Sequence, residues 1–337
     1  MATTVVRKAL NSINPFVLRT LSSHNRHLSA VATAGQPESD GPSSPFTFSS
    51  DGGEPDVQNK NTKEDNIYVK APKTSSSSAS SSSSVTMPES FMTGSIIGKR
   101  FYKQVTTRKA DDGNGWTVML DYRTLKSPSK RPLKCPTLAL AKAIAAEWEY
   151  QQTDGIRPFT MPLMLLACTA LERVPVTRPK IIEQLMAKFH LDLVFYRAPG
   201  DSDLTTGVLE RQVEKMDPLL NWVESEFGFK PVVYSSLFGG KQDDGLANSI
   251  ESFLKKTDDC ELAAIDAIAA AAHSLIISIG IFRGRLQIEE AIELIRLEED
   301  WQINRWGLVE GGHDIDIADL RVQISSAAVF LGLSRRS

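Results

Sequence analysis

Three side chains within six residues, Asp121, Arg123 and Lys126, put a carboxylate, a guanidinium and an amine on one short stretch of chain. As a polar cluster they would serve an uncharacterised matrix enzyme. On a hairpin, which is how the stretch reads, they equally form a surface salt-bridge network. The rest of the chain offers little reaction machinery, with no HExxH, GxSxG or GxGxxG. GGKQ at Gly239–Gln242 is a phosphate loop only superficially: Ser235 stands in place of the leading glycine and Gln242 in place of the magnesium-binding Ser or Thr. His24 and His27 fall in the leader, and His190 beside Asp192 and His313 beside Asp314 are local pairs. His273, on an apolar run, reads as a core histidine. Cys135, Cys168 and Cys260 lie apart in sequence, with no His at ligand spacing, a reduced-compartment pattern and neither a zinc site nor a disulfide frame. No catalytic residue, cofactor or metal is expected.

Recognition is better supplied than reaction. LQIEEAIELIRLEEDWQINRWG, from Leu286 to Gly307, repeats its apolar residues at three- and four-residue steps and stops at a glycine, the pattern of an amphipathic helix. In its last turns Glu299, Gln302 and Trp306 share one stripe, while Glu298 and Trp301 lie on neighbouring rows. Adjacent acids on a helix point to different faces, so Glu298 and Glu299 cannot share a proton on one substrate. Acids beside indoles are either a solvated rim around two half-buried Trp residues or a partner-binding surface, since Trp is a common interface anchor.

The elements that position these residues follow from periodicity. RFYKQVTTRK, the turn DDGNG and WTVMLDYRTLKS read as paired strands, and KRPLKCP as a third, short edge strand. Thr137 caps a helix over LALAKAIAAEWEYQQ. From Met161 the pattern is helical throughout, broken by Pro, Gly and Asp, with one β-like run at KPVVYSS. ELAAIDAIAAAAHSLIISIGIFRG holds Asp266 and His273, which suits a buried central helix and not membrane insertion, with Gly280 and Gly284 allowing a close helix crossing. DIADLRVQISSAAVFLGL closes the chain as an amphipathic helix. The fold class is α+β: a small antiparallel β-sheet domain with a packed helix over residues 98–160, then an all-α helical bundle over 161–337.

Residues 1–37 carry Arg7, Lys8, Arg19 and Arg26 and no acid, and read as a mitochondrial transit peptide, with a plastid address as the alternative. Residues 38–97, with SSSSASSSSS, read as a disordered linker. Removing the leader's four positive charges from the total of −3 leaves −7 on residues 38–337, which argues against sequence-independent nucleic-acid binding.

Taken together, RFYKQV, VMLDYRTLKSP, LALAKAIAAEWEYQ, DLVFYRAPGD, LERQVEKMDPLLNW and RLEEDWQINRWG resemble the mitochondrial ATP synthase assembly chaperones, the type that holds the isolated α subunit of the catalytic head. The resemblance covers roughly residues 99–334. Its motifs fall on Asp121, Arg123 and Lys126; on Glu147 and Trp148; on Asp192, Tyr196 and Arg197; and on Asp217 and Pro218. Tyr122 departs from the usual Gly, Ser127 from Thr and Met216 from Trp. The resemblance implies a monomeric matrix protein that is not an enzyme. It would bind the unassembled α subunit, prevent its aggregation and yield to β. It also implies partner-binding by Glu298, Glu299, Trp301, Gln302 and Trp306, with one required acid at Glu299 or, in the adjacent register, Glu298. A subunit retained in the finished complex is the remaining alternative.

Overall fold

The computed structural model describes residues 84–335 apart from 236–238 and 310. The segment read as a transit peptide and most of the Ser-rich span read as a linker lie outside the described residues.

Four strands make one sheet: β1 (Ser84–Thr86), β2 (Val105–Lys109), β3 (Trp116–Leu120) and β4 (Arg123–Lys126), in the order β1-β4-β3-β2. The DDGNG turn closes the β2–β3 hairpin. Gly115 is required there, because a Cβ would stand 2.7 Å from the Cys135 carbonyl oxygen and its φ is +95°. Strands β3 and β4 join across Asp121 and Tyr122. Asp121 takes the left-handed φ of 53°, so the departure from glycine at Tyr122 falls on the other residue of the turn.

The sheet is mixed where an antiparallel one is expected, because β1 lies parallel to β4. That strand and the short 3-10 turn Glu89–Phe91 fall inside the span read as linker. They are held by Met87 and Phe91, both buried, with the Phe91 ring stacked 6.0 Å from Trp148. KRPLKCP forms no strand. Pro132 and Pro136 offer no N–H, and the segment makes single bridges instead, Pro132 to β4 and Cys135 to β3.

Helix α1 (Leu138–Glu149) lies on β2 and β3 through Leu140, Ala141, Ile144 and Trp148. Its cap is Thr137, whose hydroxyl accepts the Leu140 N–H at 3.1 Å. Helix α2 (Pro162–Cys168) runs through a π turn at Thr169–Arg173 into α3 (Val174–Phe189). The helices α4 (Asp203–Phe227), α5 (Asp244–Lys256), α6 (Asp259–Ala272), α7 (Leu275–Phe282), α8 (Ile288–Trp306) and α9 (His313–Ser334) follow. The β-like run at KPVVYSS is one bridge, Tyr196 to Tyr234.

The single helix expected across residues 261–284 is two. His273 takes φ 51° and ends α6, Ser274 caps α7, and His273 is exposed, not in the core. A Cβ on Gly280 would meet the Leu286 side chain at 2.9 Å, so close packing holds there. Gly284 lies outside the helix in a turn with φ +71° and open space around it. Buried side chains from Met87 on the sheet side to Leu331 on α9 belong to one continuous cluster.

Candidate partner-binding site

Helix α8 packs on α4 and α9, burying Ala291, Leu294 and Leu297. Its N-terminus is a capping box of Gln287 and Glu290, which fixes where the register of the acids begins. Arg296 is buried, and its guanidinium holds Glu299 at 2.8 Å and Asp300 at 2.7 Å.

The two candidate acids have opposite environments. Glu298 is 7 % exposed and its Oε1 accepts a 2.7 Å bond from Gln212 Nε2. The Gln212 carbonyl in turn accepts the Ala198 N–H at 2.7 Å. This relay ties α8 to α4 and to the strand-like stretch after Tyr196. The Glu299 side chain, turned outward, keeps 28 % of its surface. Trp301 lies half-buried against α4: a Cβ on Gly207 would overlap its ring at 2.4 Å, and the Arg211 guanidinium sits 4.8 Å from the ring centroid. Its indole N–H is buried and has no partner among the described residues. Gln302 is half-buried, and Trp306 is 56 % exposed, next to exposed Leu308 and Val309. Alongside runs a charged cleft of about 420 Å³ between α4 and α8, crossed by a 3.2 Å ion pair of Lys215 and Glu293. Glu299, Gln302 and Trp306 thus reach the surface, Trp301 partly, and Glu298 does not.

Gly207, Arg211 and Arg296 went unremarked in the sequence. Only Arg296 gave a signal, three and four residues before two acids. Gly207→Ala is expected to destabilise the protein by about 1–2 kcal/mol through overpacking and to alter the near-ultraviolet circular dichroism of Trp301. A thermal melt showing a net gain, as Ala in an open helix position would give, would show the indole is not seated there.

Burial holds the Glu298 carboxyl up at about 7, and the Gln212 bond only partly offsets it. In the unfolded chain a Glu releases its proton near 4.3. The folded state therefore retains a proton that the unfolded state gives up between those values. The resulting stability is complete below the unfolded value and is lost as pH rises through about 7. Melts of wild type and Glu298→Gln at pH 5.5 and 8.5 are expected to diverge by about 2–3 kcal/mol, with the wild type losing ground at high pH. Parallel curves would contradict this.

The motif residues elsewhere hold the frame. Asp121 Oδ1 accepts the Lys103 and Gln104 N–H groups at 3.0 and 2.9 Å, and this pulls its carboxyl below the ordinary range. Arg123 stacks on Tyr122, Lys126 lies on β4, and no ion pair joins the three among the described residues. Glu147 accepts the Leu163 and Met164 N–H groups at 2.7 and 2.8 Å, capping α2, although burial raises it to about 7. Trp148 is sealed under Phe91 and Tyr102. Asp192 joins three donors, from Val194, Ser274 and Ile276. Tyr196 packs on Tyr234. Arg197 bonds the Val194 and Tyr196 carbonyls and pairs with Asp217 at 2.6 Å, one residue before Pro218 inside α4.

Residues 99–224 match the family model described as ATP12 chaperone protein. The mitochondrial protein atp12 of Schizosaccharomyces pombe is 29 % identical over 239 residues, spanning 68 % of this chain and 81 % of that one. Protein ATP12, mitochondrial, of Saccharomyces cerevisiae is 20 % identical over 274 residues, 70 % and 84 % of the two chains. The crystal structure of Atp12 from Paracoccus denitrificans superposes with a TM-score of 0.64 at 30 % identity, covering 71 % of this chain and 99 % of that one. The compartment named for the fungal relatives, the mitochondrion, is also this chain's. With the matched motif residues forming the frame and the relatives covered over most of their length, the chain belongs to the ATP12 chaperone family.

Proposed function

We propose that this chain is an assembly chaperone of the mitochondrial ATP synthase that binds the unassembled α subunit of the catalytic head in the matrix. It keeps that client from aggregating until β subunits replace it, and it does so without chemistry of its own. The reading is supported above all by the exposed end of α8, where Trp306 projects with Leu308 and Val309 beside it. A large indole open to solvent beside apolar neighbours is the kind of anchor that dominates interfaces. An orphan subunit exposes apolar surface that will later be internal, and such patches self-associate unless covered. A displaceable cover needs a few anchors, not an obligate-sized apolar interface. The enzyme alternative draws less support, since Asp121 is committed to the backbone of its own hairpin.

Light scattering of isolated α subunit, with and without the full chain, tests this. Stoichiometric suppression of α aggregation is expected, with no need for ATP and little effect on isolated β. Trp306→Ala should weaken α binding at least tenfold while leaving the thermal melt unchanged. Equal protection of β, or none of α, would overturn the assignment.

A further inference from the structure

Helix α9 is apolar on two sides. Ile324, Ala327, Phe330 and Leu331 face the core, where the helix packs chiefly on α6. The opposite side carries Ile315, Ala318, Val322 and Val329, and all four are exposed, Ile315 at 60 % and Val322 at 54 %. Ile315, Val322 and Val329 recur every seven residues and so form one row, about 21 Å long at the helical rise. By length and composition α9 is the one helix among the described residues apolar enough to cross a membrane. An apolar helix face is normally covered. Among the described residues the outward side of α9 is left exposed.

Two further observations say what covers it. The row starts where the exposed end of α8 stops: His313 N–H donates to the Val309 carbonyl at 3.2 Å, and Val309 N–H to His313 Nδ1 at 3.2 Å. Val309, three residues after Trp306, is therefore held at the N-terminal end of α9, where the row begins. Its border is acidic. Asp314 and Asp319 flank the row and make no ion pair among the described residues; Asp319 accepts a 2.5 Å bond from Gln323 Nε2, and Arg321 is held by Glu289 at 3.2 Å. Asp314 also suits a helix N-terminus, but Asp319 lies beyond the first turn. An acidic border disfavours the anionic surface of a membrane. Three aliphatic side chains and an alanine fall well short of the ~800 Å² per partner that a stable dimer needs.

We infer that the outward row of α9 is a second docking surface for the client, taking an apolar helix that carries Lys or Arg at the end nearest Asp314 and Asp319. Side chains as small as Ala318 and Val322 let two helix axes come within the 8–10 Å of ordinary helix packing, and the acids set the direction in which the client lies. This inference rests on the α-subunit reading above.

The test uses the full chain and isolated α subunit in a binding titration. Val322→Lys/Val329→Lys should fold and melt like wild type, because both positions face solvent, and should bind α at least tenfold more weakly. Asp319→Lys should lose three- to tenfold and flatten the salt dependence. If both variants bind as wild type does while Trp306→Ala fails, the α9 row is not a contact, yet the α-subunit reading stands. If wild type itself does not bind α, both fall. Sedimentation showing a wild-type dimer that the double variant breaks would give the row to a second copy and overturn the inference. Wild-type binding to anionic phosphatidylserine vesicles that the double variant loses would give it to a membrane, with the same result.

Discussion

Asp192→Ala is expected to lower stability by roughly 3–5 kcal/mol, a melting drop on the order of 10 °C, although the residue is buried and is no part of the proposed contact surface. The carboxylate is 2 % exposed and accepts three donors: the Val194 N–H at 3.1 Å, the Ser274 hydroxyl at 2.6 Å and the Ile276 N–H at 3.0 Å. Burial pushes its pKa up to about 6, and those bonds pull it back part of the way. Alanine would leave all three donors buried and unpaired, each with its own desolvation penalty. It would also release the N-terminus of α7, whose cap, Ser274, is aimed by this carboxylate. Asp192→Asn keeps the volume and one acceptor and is expected to lose about half as much. Denaturant melts, with amide exchange at Ile276 and Ile277, measure both effects. A melt of Asp192→Ala within about a degree of wild type would show that Ser274 caps α7 unaided.

The same carboxylate shows where the sequence was legible and where it was not. The apolar face of α1, the cap at Thr137 and the helical character after Met161 are local properties, read from spacing of 3.6 residues and from side chains that bond their own neighbours. The break at His273 is only partly local. Ser274 caps α7 through the Ile277 N–H, but in AAAAHSLIIS a lone Ser does not announce a stop, and its hydroxyl is also bonded to an acid 82 residues away in sequence. Strand β1 was hidden for a similar reason: three residues in a Ser-rich run gain a ladder only because β4 is there to pair with. At the candidate site the sequence placed these residues on one helix end but could not rank them by burial. Helical spacing puts Glu298 and Glu299 on different faces without saying which face meets α4. That depended on Gln212, 86 residues from Glu298, and on Gly207, whose missing side chain makes room for Trp301.

Charge reversal at the two neighbouring acids should therefore separate folding from binding. Glu298→Lys would bury an ammonium where Gln212 Nε2 now donates at 2.7 Å, with no anion in place to pair with it. An uncompensated buried charge costs about 3–5 kcal/mol, so this variant should unfold many degrees early or fail to accumulate. Glu299→Lys removes one of two partners of Arg296, which keeps Asp300 at 2.7 Å, and the new side chain can extend into solvent. Its cost is about 1 kcal/mol or less, in the range of exposed ion pairs. Glu299 shares its helix row with Gln302 and Trp306, so reversing its charge should weaken α-subunit binding at least tenfold in a protein that still melts near wild type. A Glu298→Lys variant that folds normally and yet loses the α subunit would reverse the assignment, making the buried acid the one that meets the partner.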